Sequence, residues 1–157
     1  MIEVGQRAPD CSLVAQDGKT VKLSDLRGQT VVLYFYPKAD TPGCTTQACG
    51  IRDRRAEYDA AGVRVLGVSP DEPSKLRKFA DRHGLDFTLL ADAGHSVASA
   101  YGTWVEKSMF GKKSMGVQRA TFLIDARGIV THVIPNASPK THDDEVLDAI
   151  EKLREAT

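Results

Sequence analysis

A mixed central sheet flanked by helices, an α/β fold, is predicted by three features of this chain. The segments 30–36 and Val63–Ser69 are nearly unbroken apolar runs and read as buried strands. A helical stretch at about 44–60 lies between them, and strand–helix–strand at these lengths makes a parallel βαβ unit. Two further strand-like segments, 120–125 and 129–134, flank Ala126-Arg127-Gly128 and read as an antiparallel hairpin. Parallel and antiparallel pairs together make the sheet mixed, and the helices cover both its faces.

The elements follow in order. Residues 10–23 form an N-terminal β-hairpin extension turning at Gln16-Asp17-Gly18-Lys19. The strand at 30–36 is broken by Pro37, Pro42 and Gly43. The helix at 44–60 closes at Ala61-Gly62, with Gly62 its natural C-cap. Pro73–His83 reads as a helix: proline suits its first turn, Leu76, Phe79 and Ala80 make the apolar stripe, and Gly84 ends it. A short strand at 87–90 and a helix at Ser96–Tyr101 follow. The mixed composition of 101–116 reads as a long loop. The last helix is His142–Glu155, with Thr141 as N-cap, Asp143, Asp144 and Glu145 complementing the dipole, and Val146, Leu147, Ile150 and Leu153 facing the core.

The chain length, 157 residues, suits one domain spanning 1–157. Lys+Arg and Asp+Glu are equal at 21 each, so no general electrostatic case for nucleic acid or an anionic membrane arises. Met1 to Asp10 has no apolar signal-like stretch, and no run approaches transmembrane length. Three cysteines make an odd count, which fits a cytoplasmic protein with a reactive pair and a spare thiol better than a disulfide framework. The histidines His83, His95, His132 and His142 show no metal-ligand spacing, and no dinucleotide or phosphate-loop string is present. No metal or cofactor is expected.

The reactive chemistry gathers at Cys44. It falls at the start of a helix, after a strand and a Pro/Gly loop. Unpaired N–H groups and the positive dipole end favour a thiolate there, and the thiolate is the nucleophile. A structural role as a small hydrophobe is the common fate of a free cysteine, and this position argues against it. Thr41, three residues earlier, can donate its hydroxyl to a thiolate or an incoming oxygen, or simply bond within its loop. Pro37 ends the strand and can also shield the site from water. Gln47 either bridges polar groups around Cys44 or is solvated. Trp104, Phe110 and Phe35 are candidate walls of an apolar pocket, with core packing the stronger reading for Phe35. Cys11 reads as a buried small hydrophobe.

The string Thr41-Pro42-Gly43-Cys44-Thr45-Thr46-Gln47-Ala48-Cys49 resembles the bacterioferritin comigratory protein subfamily of peroxiredoxins, also called peroxiredoxin Q. Pro37, Thr41 and Cys44 match the family's P-x-x-x-T-x-x-C signature. Ala8-Pro9-Asp10, Tyr101-Gly102, Gly111-Lys112-Lys113 and 119–125 extend the resemblance along most of the chain. Cys11 departs from it, standing where the subfamily has an aromatic residue. The resemblance implies a thioredoxin-like fold, which element order alone leaves as one of several α/β choices. It implies a thioredoxin-dependent thiol peroxidase of the atypical two-cysteine kind. By that resemblance, Cys44 is expected to attack a hydroperoxide and become a sulfenic acid, Cys49 to resolve it as an intrachain disulfide, and thioredoxin or a similar dithiol to reset the pair. Arg119 matches the family's catalytic arginine, although a lone arginine is ordinarily a surface residue. A permanent cation beside Cys44 favours the thiolate and holds peroxide oxygens.

Five residues on a regular helix separate two Cα atoms by ~7.5 Å of rise and ~140° of turn. Disulfides rarely tolerate more than ~7 Å between Cα atoms, so the pair cannot close while the helix is intact. Thr45, Thr46 and Gly50 are poor helix formers where unwinding is needed. An intrachain pair removes any need for a partner subunit, so a monomer is expected. Two other readings remain open. A thioredoxin-type oxidoreductase ordinarily has C-x-x-C, against the four intervening residues here. A non-enzymatic redox sensor would oxidise without sustained turnover.

Overall fold

The computed structural model describes residues 1–155, so positions 156 and 157 of the expected domain lie outside the described residues. Its chain begins with a hairpin, β1 (Ser12–Ala15) and β2 (Thr20–Lys22), then a single 3₁₀ turn, Leu23–Leu26, and β3 (Thr30–Phe35). Next come α1 (Pro42–Asp53), α2 (Arg55–Ala60), β4 (Val63–Ser69), α3 (Pro73–His83), β5 (Thr88–Ala91) and α4 (Ser96–Tyr101). The remainder is β6 (Trp104–Met109), β7 (Lys112–Val117), β8 (Thr121–Ile124), β9 (Val130–Ile134) and α5 (His142–Glu155).

Seven strands form one sheet in the order β2-β1-β5-β4-β3-β8-β9. The β3–β4 and β4–β5 pairs are parallel, while β3–β8, β8–β9 and the hairpin strands pair antiparallel. The N-terminal hairpin extends the sheet by laying β1 antiparallel to β5.

Alternation along β3 divides the interior into two cores. Val32, Tyr34 and Tyr36 face α1, α3 and α5, in the core that holds Cys44. Val31, Leu33 and Phe35 face α4 and the N-terminal segment, in the core that holds Cys11. Strand and helix are thus interlocked on both sides, each fully buried large side chain contributing roughly 1.5–3 kcal/mol of burial.

Two elements differ from the sequence expectation. The helix at 44–60 is broken at Arg54, whose φ of −99° and ψ of 1° separate α1 from α2. Arg54 has its own reason to stand there: its guanidinium pairs with Glu57, Asp143 and Asp144, tying the break to the start of α5. The stretch 101–116 is not a loop but contains the antiparallel pair β6–β7. It lacks a buried face, since most of its side chains are charged or exposed, so strand alternation left no apolar signal. Its two-residue turn places Phe110 at φ 53° and Gly111 at φ 78°, as a primed hairpin turn requires.

Candidate active site

The site is built at the end of β3, where the chain leaves the sheet. Pro37 stands half-buried at the bend after the strand. The following loop is held from the β4 side: Asp71, itself buried, accepts the Ala39 N–H at 2.7 Å and the Ser69 hydroxyl at 2.8 Å. Asp40 adopts φ 63°, a left-handed conformation that aspartate tolerates better than most residues. Its carboxylate meets His83 at 3.3 Å and Arg82 at 3.5 Å, both at the C-terminal end of α3.

Thr41 is the extended N-cap of α1, but its side chain caps nothing. Its hydroxyl donates to the Lys38 carbonyl at 2.8 Å rather than to Cys44. Helical bonding begins with Thr45 N–H to Thr41 C=O at 2.9 Å. The Gly43 and Cys44 amides precede that bond and belong to the open N-terminal turn. Cys44 is 1% exposed, beneath this turn and in the core with Tyr34 and Tyr36.

Arg119 closes the other side. It stands just before β8, the strand that neighbours β3, and its guanidinium packs on Gly43. A Cβ at position 43 would lie 2.8 Å from Arg119 Nη2, so the absence of a side chain there admits the cation beside the first turn. Arg119 Nη1 donates to Gln47 Oε1 at 2.8 Å, and Gln47 Nε2 meets His142 Nδ1 at 3.1 Å. His142 Nε2 in turn meets Thr121 Oγ1 at 2.7 Å. Gln47 therefore bridges polar groups, the first of its two expected roles. Burial pushes the His142 imidazolium pKa down to about 4.

Cys49 lies on the same helix as Cys44, is only partly buried, and both thiols are free. Gly50, expected to be a weak helical link, has a further cause. A Cβ there would come within 3.3 Å of the Asp143 carboxyl carbon, so glycine lets α1 and α5 approach closely. Cys11 is in the opposite core, and burial with Asp10 nearby pushes its thiol up to about 11, which keeps it protonated at neutral pH.

The proposed apolar walls are not assembled around Cys44. Phe35 packs between Tyr101 and Phe122 on the opposite face of the sheet. Trp104 stacks on His95 at 3.8 Å, and Phe110 is 98% exposed at its hairpin tip. A cavity of about 430 Å³, lined by residues including Gln29, Arg55, Val63 and Phe87, contains none of the site residues. Sequence reasoning overlooked two groups. His142 was legible only as a helix start. Lys107, in the stretch read as a loop, donates to the Val117 carbonyl and lies in the fields of Arg119 and Cys44; burial lowers its pKa, and Arg119 lowers it further.

A buried cysteine on an open helical turn, with an arginine packed on that turn from just before the neighbouring strand, is an arrangement that can favour a nucleophilic thiolate. The chain belongs to the AhpC/TSA family, whose model matches residues 4–133. It is 50% identical over 147 residues to the peroxiredoxin Bcp of Escherichia coli (strain K12), covering 94% of each chain. The peroxidoxin BcpB of Mycobacterium tuberculosis superposes with a TM-score of 0.87 at 37% identity, covering 98% of this chain and 99% of that one. The bacterioferritin comigratory protein of Xanthomonas campestris, whose structure concerns alkyl peroxide reduction, superposes with a TM-score of 0.86 at 33% identity over 90% of each chain. The fold is therefore the thioredoxin-like fold of the peroxiredoxins.

Proposed function

We propose that this protein is a thiol peroxidase acting on hydrogen peroxide and organic hydroperoxides. The observation that carries the reading is the seat of Arg119 on Gly43, which sets a permanent cation beside the Cys44 turn. The kinship with Bcp peroxiredoxins, and the alkyl peroxide reduction associated with the Xanthomonas campestris relative, support the substrate class.

The Cys44 thiolate attacks the distal peroxide oxygen. The O–O bond breaks, the departing RO⁻ takes a proton and leaves as alcohol or water, and sulfur becomes sulfenic acid. Arg119 stabilises the negative charge moving onto the leaving oxygen. Thr41 has committed its proton to Lys38, so its oxygen offers lone pairs and accepts the hydroperoxide O–H. Pro37 excludes water from one side. Cys49 then displaces the sulfenic oxygen as water, forming the Cys44–Cys49 disulfide. Thioredoxin or a similar dithiol supplies two electrons and two protons to restore both thiols. One domain, as a cytoplasmic monomer, suffices for this cycle.

Two substitutions test it. Cys44→Ser abolishes peroxide consumption, because serine forms no alkoxide at neutral pH. Cys49→Ser consumes about one equivalent and stalls as sulfenic acid or over-oxidised forms, visible by mass spectrometry. Normal turnover by Cys44→Ser would refute the peroxidase. Sustained thioredoxin-coupled turnover by Cys49→Ser would remove Cys49 from the cycle. Insulin-disulfide reduction exceeding peroxide turnover would favour the thioredoxin-type alternative.

A further inference from the structure

The polar chain behind Arg119 ends on a side chain with no part in the proposed cycle. Its directions follow from donor chemistry alone. Arginine only donates, so the Gln47 group facing it must be the carbonyl Oε1, and the amide Nε2 must face His142. Nδ1 of His142 then has to accept, which requires a neutral ring protonated on Nε2. That proton goes to Thr121 Oγ1, at 2.7 Å. Each member permits a single arrangement of the next.

We propose that His142 is a positioning residue for Arg119, acting through Gln47, and that the chain is complete only while α1 remains helical. The proposal rests on the reading of Arg119 as the cation serving Cys44. His142 is fully buried as the first residue of α5, with the Tyr34 ring 5.3 Å away. Burial and the Arg119 charge favour the neutral ring, while Asp143 opposes them. A cation at this position would turn a second donor on the Gln47 amide and break the chain. Gln47 lies on α1 between the two cysteines, inside the segment that must unwind to join them. Unwinding withdraws the Gln47 amide from both neighbours at once. The His142–Gln47 contact thus favours the closed helix and releases Arg119 when the disulfide forms.

The first test is ¹⁵N NMR of the imidazole in the reduced protein at neutral pH. Nδ1 should be unprotonated and Nε2 protonated, and the Nδ1 resonance should shift in the Cys44–Cys49 disulfide form. A protonated Nδ1, or identical signals in the two redox forms, would overturn the proposal. The second test compares His142→Leu with His142→Asn, whose amide oxygen can stand near Nδ1. The leucine variant should shift the Cys44 thiolate titration upward and slow its reaction with hydrogen peroxide by about tenfold or more, as misplacement of a charged group does. The asparagine variant should recover most of both. A folded leucine variant with unchanged titration and rate, or an asparagine variant as impaired as leucine, would refute the positioning role. If leucine prevents folding, the asparagine variant and the NMR decide. A parent protein inert to peroxide would defeat the peroxidase reading instead, because the tautomer and thiolate titration need no peroxide.

Discussion

Arg119 Nη2 lies so close over Gly43 that a methyl group at position 43 would meet it at 2.8 Å. The neighbour is the end of a flexible side chain, so Gly43→Ala should displace the guanidinium rather than unfold α1. Alanine is favoured over glycine in helices by up to about 1 kcal/mol, so stability should hold or rise. Peroxide reduction should fall by about tenfold or more. Thermal unfolding and stopped-flow rates on the same variant separate the two effects, and an unchanged rate would mean the contact has no catalytic consequence.

Arg119→Ala should slow peroxide attack by roughly 10²–10³-fold, the usual loss when a group facing developing charge is removed. Arg119→Lys should recover only part. A lysine ammonium keeps the charge but lacks the planar fork that serves Gln47 and a peroxide oxygen together. Full recovery by lysine would show that charge alone matters.

Cys11→Ala should leave turnover and the Cys44–Cys49 disulfide unchanged. The thiol lies across the sheet from Cys44 and is held protonated by burial. Alkylation at neutral pH followed by peptide mapping should label Cys44 and Cys49 well before Cys11. Faster labelling of Cys11 would contradict its being held protonated.

His142 makes stability pH-dependent. Its conjugate acid has a pKa of about 4 in the fold against 6.5 in an unstructured chain. Between those values the unfolded state binds more protons, so stability is intact above about pH 6.5 and declines as pH falls toward 4. The full effect is roughly 3 kcal/mol. Urea unfolding at pH 7, 6, 5 and 4 should show a steeper loss for the parent than for His142→Asn. Parallel curves would mean the imidazole titrates normally.

Oxidation should melt part of α1. Amide protection should fall across 45–52 in the disulfide form, while β3 and β4 stay protected. The melting has a defined limit. Beyond the break, Tyr58 donates to the Asp143 carbonyl at 2.8 Å, and Arg54 holds Glu57, Asp143 and Asp144. Unwinding past the break would cost the burial of Tyr58 on α2, so it should stop before α2. Equal protection in the two redox forms would overturn the unwinding argument.

Much of this architecture is legible in local pattern. The apolar run of β3, the breaker Pro37, and Gly62 at φ 73° past α2 are decided by neighbours in sequence, whereas Pro42 and Gly43, read as breakers, form the first turn of α1. The hairpin β6–β7 was not legible, because strands without a buried face carry no alternation. The α1–α2 break was not legible either, since Arg54 is held by carboxylates at the start of α5.

The sequence by itself placed Cys44 at a helix start, set Cys49 on the same helix, and put the thiols out of bonding reach, because helix rise and turn depend only on residue count. Tertiary structure decided what surrounds the sulfur. Arg119 and Gln47 are 72 residues apart, and Gln47 and His142 are 95 apart. They meet because β8 pairs with β3 and α5 packs against α1 at Gly50. Such contacts depend on sheet order and helix packing, which no local period records. The choice of Lys38 as acceptor for the Thr41 proton likewise belongs to the folded loop, where Asp71 and Asp40 fix the path of the chain.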